Sequence, residues 1–290
     1  MSQSRSLLLV IHPTRAEAQS AAQELVNQLQ GADFTFYSPS GVKVEGVTQV
    51  LSTDVEQRLK DTELAVVFGG DGTILRGAEL VRGTKIPVLG INVGHVGFLA
   101  QIHRPTPQQL AQAIIKRSYT SEKRMVLQYA VHRAEKIVTN GWALNEIAVE
   151  RNTEAMVELF VQIDHRPLSR WGCDGVICAT PTGSTAYAFS AGGPVVWPEV
   201  EALVLLPLAA HALFSRPMVI SPESEIAIDI ESDEAVLSAD GLRKFHLTEH
   251  DRVTLTSHEN PIYLAQIEPA LFTDRLVAKF KLPVEGWRGE

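Results

Sequence analysis

Leu64-Ala65-Val66-Val67-Phe68 is an apolar, strand-like run that stops at Gly69-Gly70-Asp71-Gly72-Thr73, and helical apolar spacing resumes through Leu75 and Leu80. A strand that passes through glycines into a helix belongs to an α/β sheet, which places ligands beyond the carboxyl ends of its strands. Glycines let backbone N–H groups approach and wrap a phosphate, and an embedded carboxylate can polarise a hydroxyl or hold a metal. Asp71 is the candidate carboxylate, Gly69, Gly70 and Gly72 form the candidate phosphate turn, and Thr73 is a candidate helix cap. A plain tight turn in which Asp71 only caps suits the same pentapeptide. It is neither a Walker A segment, since the lysine is missing, nor G-x-G-x-x-G.

The flanking segments extend that α/β pattern. Residues 6–11 predict a buried strand, and Arg15 to Gln30 a helix with apolar positions at Ala22, Leu25, Val26 and Leu29. Phe34 to Tyr37 predicts another strand, 73–82 a helix, Val88 to Ile91 a strand and Pro107 to Lys116 a helix. Thr106-Pro107 with Gln109 supplies that last helix with a capping threonine and a first-turn proline. Near residue 122 the period changes. Met125–His132, Trp142–Glu150 and Met156–Asp164 predict strands, and 225–230, 234–240, 252–256 and 262–267 continue the rhythm. The expected fold class is therefore α/β: a Rossmann-like N-terminal α/β domain over 1–122 and a β-rich, β-sandwich domain over 123–268. The last segment, 269–290, contains a short helix at Phe272–Phe280 and is expected to return to the first domain.

Composition narrows the function classes. Across 290 residues, 26 lysines and arginines against 34 aspartates and glutamates give net −8, which disfavours a broad nucleic-acid surface. No apolar stretch reaches the roughly 18 residues needed to span a membrane. The short run Leu7 to Val10 is too brief for a signal peptide, so a cytoplasmic protein is expected. Cys173 and Cys178 make neither a disulfide framework nor a zinc pattern and are expected to be buried thiols.

The second apolar region carries its own polar interruptions. Asn145-Glu146 lies within Trp142 to Val149, where a buried polar pair needs partners, either neighbouring backbone or a ribose and an adenine amine. Asp174 follows Gly172-Cys173 and can receive ribose or amide hydrogen bonds, or cap a turn. Pro181-Thr182-Gly183-Ser184-Thr185-Ala186-Tyr187 follows the strand-like Val176 to Thr180. Thr182, Ser184 and Thr185 present hydroxyls there, and Tyr187 can lay its ring on a base while its phenol hydrogen-bonds. Asp240-Gly241 is a turn signal. Together the two glycine-rich segments predict a phosphoryl-transfer enzyme built across two domains.

With Gly94-His95-Val96-Gly97-Phe98-Leu99 after the strand at 88–91 and Phe272-Thr273-Asp274-Arg275-Leu276 near the end, these segments resemble the NAD kinases. The resemblance covers most of the chain and is to the actinobacterial type. It implies transfer of the ATP γ-phosphoryl group to the 2′-hydroxyl of the adenosine ribose of NAD, with Asp71 as general base and Gly69, Gly70, Gly72 and Thr73 around the phosphates. It also implies that Asn145, Glu146, Thr182, Ser184 and Tyr187 surround the adenosine, beside the Thr185 hydroxyl, and that Asp174 meets the far nucleoside, in relatives from a neighbouring subunit. Mg²⁺ is the implied divalent cation, with no dedicated protein ligand assignable. Arg76 faces the first helical region and offers phosphate a cation or solvent a charged surface. A homodimer or homotetramer, and inorganic polyphosphate as a second donor, are further implications. Small residues at Gly172-Cys173 and a histidine at His95, a loop-lining position often occupied by arginine, depart from the family pattern.

Two other readings compete. A lipid kinase shares the Gly69–Thr73 segment but accounts for neither Asn145-Glu146 nor Pro181–Tyr187. A non-enzymatic NAD-binding regulator on the same fold would have no chemical need for Asp71.

Overall fold

The structure, a computed structural model, describes residues 5–94 and 97–284; His95 and its expected loop-lining role lie outside them. The chain divides into two compact units, one drawn from 1–123 with 262–290 and the other from 124–261. Along the first stretch run β1 (Arg5–Ile11), α1 (Ala16–Gln28), β2 (Phe34–Ser38), β3 (Thr48–Gln49), α2 (Val55–Leu59) and β4 (Thr62–Phe68). Next come α3 (Asp71–Val81), β5 (Val88–Ile91), α4 (Pro107–Lys116) and β6 (Thr120–Arg124). The second unit holds β7 (Leu127–Arg133), β8 (Lys136–Ala143), β9 (Glu146–Arg151), β10 (Val157–Ile163), β11 (Arg166–Cys173) and β12 (Gly175–Ala179). It continues with α5 (Tyr187–Ser190), β13 (Leu203–Leu208), β14 (Met218–Ile220), β15 (Ile226–Ile230), β16 (Glu234–Ala239), β17 (Arg243–Thr248) and β18 (Arg252–Ser257). Finally β19 (Ile262–Gln266) and α6 (Phe272–Phe280) rejoin the first unit.

In the first unit one sheet runs in the order β3-β2-β1-β4-β5-β19-β6. The pairs β1/β2, β1/β4, β4/β5 and β5/β19 are all parallel. Alternation along the buried strands sorts side chains to two faces. Leu7, Leu9, Ile11, Leu64, Val66 and Phe68 share a core with Leu25 and Val26 of α1 and Leu110 and Ile114 of α4. The intervening face meets α3, where Gly77 has no room for a Cβ against Val67. The α4 start follows the predicted capping box: Thr106 Oγ1 accepts from Gln109 N–H, and Gln109 Oε1 accepts from Thr106 N–H. The polar segment 50–62 contains the short helix α2, which sequence periodicity did not announce.

The second unit is built from two antiparallel six-stranded sheets, β11-β10-β15-β18-β7-β8 and β14-β13-β12-β9-β16-β17. One apolar core joins them: Leu127, Val131, Leu159, Ile228 and Val253 from the first sheet meet Ile147, Val149, Val176, Leu205 and Leu237 from the second. That is the sandwich arrangement. Cys173 and Cys178 lie in this core, where burial pushes their thiols up to about 11 and about 12. No helix among the described residues is long and apolar enough to cross a membrane.

Two expectations need correction. Trp142–Glu150 is not one strand but β8 and β9 separated at Leu144-Asn145, because the amides there bond to a side chain instead of a ladder. Residues 262–267 continue the short-strand rhythm in sequence, yet β19 lies in the first sheet, between β5 and β6. A fully buried strand in a parallel sheet and a sandwich strand share the same short apolar signature, so period could not separate them. The chain returns to the first unit at Ile262, seven residues before the expected 269. Leu264, 2% exposed and paired with Val88, is therefore a core residue of the first unit. Leu264→Ala should cost about 2–5 kcal/mol. Urea unfolding followed by tryptophan-independent circular dichroism would check it, and an unshifted midpoint would contradict the placement.

Candidate active site

Three loops leave the carboxyl edge of the first sheet side by side. Ile11 is in register with Phe68, and Phe68 with Ile91, so β1, β4 and β5 end level. His12 N–H donates to Phe68 O at 3.0 Å and Gly69 N–H to Ile91 O at 3.1 Å, which ties the three exits together. The chain steps from β1 outward to β2 and β3 and then returns to β4 on the other side of β1. That reversal is the topological switch point where open α/β sheets form a ligand crevice.

Asp71 opens α3 at this edge. Its Oδ2 accepts from Phe98 N–H at 2.9 Å and its Oδ1 from Leu99 N–H at 3.1 Å. A Cβ on Gly97 would stand 2.6 Å from Asp71 Cγ, so only glycine lets the turn after β5 reach the carboxylate. The reach is fixed from behind by α6. Arg275, 3% exposed, donates from Nη1 to Phe98 O at 3.0 Å and Ala100 O at 2.6 Å. The Phe98 ring packs on Phe272 and Phe280 at 6.0 and 5.8 Å between centroids. Thr73 does not cap the helix as expected: Gly70 is the N-cap, and the Thr73 side chain folds under the turn against Gly69. Thr73 and Ile74 make the first hydrogen bonds back to Gly70 O, so the N–H groups of Asp71 and Gly72 precede the helical ladder. Arg76 is on an exposed face of α3.

In the second unit Asn145-Glu146 and the turn after β12 lie at one end of the β9/β12 pair, and Asp174 lies at the other. Asp240, expected as a turn residue, does turn the chain, with φ 53° followed by Gly241 at 64°. Its carboxylate, however, points inward and accepts from Leu144 N–H at 2.9 Å and Asn145 N–H at 2.7 Å, with the Arg243 guanidinium at 2.9 Å. Burial raises its pKa to about 6 against those amide bonds. Thr180, not singled out from sequence, donates its hydroxyl to Leu144 O at 2.6 Å and accepts from Gly183 N–H at 3.1 Å. Gly183 itself lies so near the Asn145 backbone that a Cβ would be 2.7 Å from Asn145 Cα. These contacts hold Asn145 outside any ladder, immediately before β9 begins at Glu146.

Glu146 is 7% exposed, and its Oε2 has no hydrogen-bond partner. Its pKa rises to about 7, first through burial and then through the Asp240 charge, against a hydrogen bond from Tyr187 N–H. The Asn145 side chain makes no hydrogen bond among the described residues. Tyr187 keeps an exposed ring while its phenol donates to Glu150 Oε1 at 2.7 Å. Thr182 is buried beside this pair and Thr185 half-buried, its hydroxyl donating to Thr182 O at 3.3 Å. Ser184 corrects the expectation: fully buried, it donates to Pro181 O at 2.7 Å and accepts from Val196 N–H at 2.9 Å. It builds the turn and has no hydroxyl to offer a ligand. Asp174 pairs with Arg151 at 2.9 Å and is 45% exposed.

The described residues contain no cluster of three or more histidines, cysteines or carboxylates able to cage a metal. Asp71 is the carboxylate of the Gly69–Thr73 turn, and its oxygens already accept two amides.

Comparison with known proteins follows the same lines. Residues 7–119 match the family model of the ATP-NAD kinase N-terminal domain and residues 144–267 that of the C-terminal domain. An NAD kinase 2 of Streptomyces avermitilis is 45% identical over 298 residues, covering 98% of this chain and 97% of its own. An NAD kinase of Mycobacterium tuberculosis is 42% identical over 308 residues, with both chains covered completely. Among solved structures, an NAD kinase from Archaeoglobus fulgidus in complex with ATP has a TM-score of 0.71 at 28% identity, covering 96% of this chain and 98% of its own. Yeast NADH kinase complexed with NADH shares the fold, with a TM-score of 0.88 at 24% identity over 100% of this chain and 91% of its own. On its sequence relatives at full length, this chain belongs to the NAD kinase family.

Proposed function

We propose that this chain transfers the γ-phosphoryl group of ATP to the 2′-hydroxyl of the adenosine ribose of NAD, forming NADP and ADP. The observation that carries this reading is Asp71, a lone carboxylate set in a glycine turn at a helix N-terminus with both oxygens already oriented by backbone amides. A carboxylate has about four acceptor positions, so two remain for a substrate hydroxyl. Asp71 accepts the 2′-hydroxyl proton as the ribose oxygen bonds to the γ-phosphorus, and the bond from that phosphorus to the bridging β,γ-oxygen breaks with its electrons going to ADP. The N–H groups of Gly70, Asp71 and Gly72 and the positive end of α3 face the transferred charge. Gly69 and Thr73 shape that turn from beneath.

Asn145 and the unpartnered Glu146 oxygen supply donor and acceptor for ribose and adenine, with Thr182, Thr185 and the Tyr187 ring around them. Asp174 serves the far nucleoside. Mg²⁺ bound with the donor would neutralise phosphate charge, and its remaining coordination could be met by phosphate oxygens and water. Arg76 reaches the same phosphates from the helix face. Inorganic polyphosphate, which offers the same terminal phosphoryl group, is a second donor. A homodimer or homotetramer is the working state: Leu213, Phe214 and Val219 stand 110%, 55% and 60% exposed on the second unit and need cover.

Purified protein incubated with NAD, Mg²⁺ and either ATP or polyphosphate should yield NADP by mass-resolved chromatography. Folded protein that binds NAD and makes none with either donor would move the non-enzymatic regulator to first place. Asp71→Asn keeps the amide contacts of one oxygen but cannot take the proton. Its kcat should fall by about 100-fold or more while NAD affinity persists, in line with general-base effects; undiminished turnover in a folded variant would remove Asp71 from the base role. Glu146 gives a pH signature. With its pKa raised to about 7, the carboxyl is mostly protonated at low pH, and only the ionised form accepts from adenine and ribose donors through both oxygens. NAD affinity should therefore rise as pH climbs through about 7, and Glu146→Gln should flatten the profile. Titration calorimetry across that range checks it, and a wild-type profile as flat as the variant's contradicts the assignment.

A further inference from the structure

We propose that Arg15 binds the terminal phosphates of the phosphoryl donor, as a substrate-binding cation that the glycine turn itself lacks. The inference rests on the kinase reading above and assigns it a residue that no sequence motif marked.

Arg15 ends the loop that leaves β1 and is the N-cap of α1, with extended backbone at φ −99° and ψ 115°. It thus stands at the carboxyl edge of the strand on one side of the switch point, while the Gly69–Thr73 turn leaves β4 on the other. Its guanidinium does not run out into solvent along α1. It folds over the turn after β5, so close to Gly94 that a Cβ there would be 3.4 Å from Arg15 Cζ and would overlap Nη1. Three residues further along that same turn, Gly97 receives the Asp71 carboxylate in the same way. Two points three residues apart on one chain lie within about 10 Å of each other. A cation and a carboxylate therefore both touch the chain after β5, one at Gly94 and the other at Gly97.

The partners of Arg15 argue in the same direction. The side chain is exposed, and it pairs with no carboxylate among the described residues. Three other arginines of this unit are engaged: Arg5 and Arg117 share Glu63, and Arg275 is spent on two carbonyls. A planar guanidinium presents a fork of N–H groups matched to phosphate oxygens. Phosphoryl transfer also places developing charge on the transferred group and on the leaving phosphate, which P-loop enzymes meet with the lysine missing from Gly69–Thr73. Arg76, the other cation near the turn, approaches the phosphates from the exposed face of α3 and is the control for Arg15.

The test compares Arg15→Gln, Arg15→Lys and Arg76→Gln with wild type. Binding of Mg-ATP, of inorganic tripolyphosphate and, separately, of NAD is measured by calorimetry, and NADP formation is followed with ATP varied at saturating NAD. For Arg15→Gln, tripolyphosphate and ATP binding should weaken by about 10–100-fold, the loss of charge-assisted hydrogen bonds. NAD binding should be unchanged, kcat/KM for ATP should fall with the ATP affinity, and Arg15→Lys should recover part of both. Arg15 is on the surface, so folding should be intact by circular dichroism. The proposal is overturned if Arg15→Gln binds both phosphate probes as wild type does, if NAD binding falls equally, if wild type binds neither probe, or if Arg76→Gln loses more donor affinity than Arg15→Gln. The two readings fail separately. Wild type that binds tripolyphosphate through Arg15 yet makes no NADP would sink the kinase reading alone; NADP formation with wild-type ATP kinetics in Arg15→Gln would sink this one alone.

Discussion

The pair of hydrogen bonds from Phe98 and Leu99 N–H to the Asp71 carboxylate is what the rest of the first unit is arranged to keep. The peptide groups at 98–100 are used on both sides: their donors go to Asp71 and the Phe98 and Ala100 carbonyls to Arg275. Hydrogen bonds to a charged group contribute about 1.5–3 kcal/mol each, and leaving either charge buried and unpaired costs at least as much. Asp71, the loop after β5 and α6 are therefore one polar network anchored by the Phe98, Phe272 and Phe280 rings. The network explains the path of the chain. Arg275 can reach the loop only if the chain comes back from the sandwich, and β19 brings it back by entering the sheet beside β5.

The second unit uses carboxylates to a different end. Asp240 takes the amides of Leu144 and Asn145 away from the sheet, and Thr180 takes the Leu144 carbonyl, so the strand is interrupted just before Glu146. Asp240 is satisfied by these bonds; Glu146, one peptide further on, is left with an orphaned oxygen. A sequence selected only for stability would replace a buried, half-paired carboxylate by something apolar or amide. Its presence is a local violation of the kind found at functional sites, in keeping with the proposed adenosine contact.

How much of this was legible depended on whether the signal was local. The helix at Pro107–Lys116, the strand at Val88–Ile91 and the helix at Phe272–Phe280 were readable to the residue, because caps, glycines and apolar spacing lie next to each other in sequence. The turn Gly69–Thr73 was readable as a strand-to-helix turn for the same reason. What sequence could not give were partners chosen across long separations: Asp240 looked like an Asp-Gly turn, which it is, and nothing local says that its carboxylate caps residues 95 positions earlier. Arg275 did leave a trace, a charged residue on the same helical stripe as Phe272 and Leu276, where burial demands a partner. Ser184 failed in the opposite direction. Its hydroxyl looked available in a small-residue run but closes a local turn with Pro181 and Val196.

Glycine illustrates why motif and mechanism are not the same thing here. In the sequence the glycines of these turns suggest that a phosphate approaches the backbone. In the fold, Gly97 and Gly183 are first of all places where the protein's own atoms approach: the Asp71 carboxylate at one and the Asn145 backbone at the other. Neither needs a positive φ; each needs only the absence of a Cβ. A side chain at Gly97 would push the loop off Asp71, and the carboxylate would lose the two amides that aim it. The glycine pattern thus preserves the orientation of an acid, and in the proposed reaction orientation held in advance is what would let that carboxylate act on a poorly nucleophilic hydroxyl.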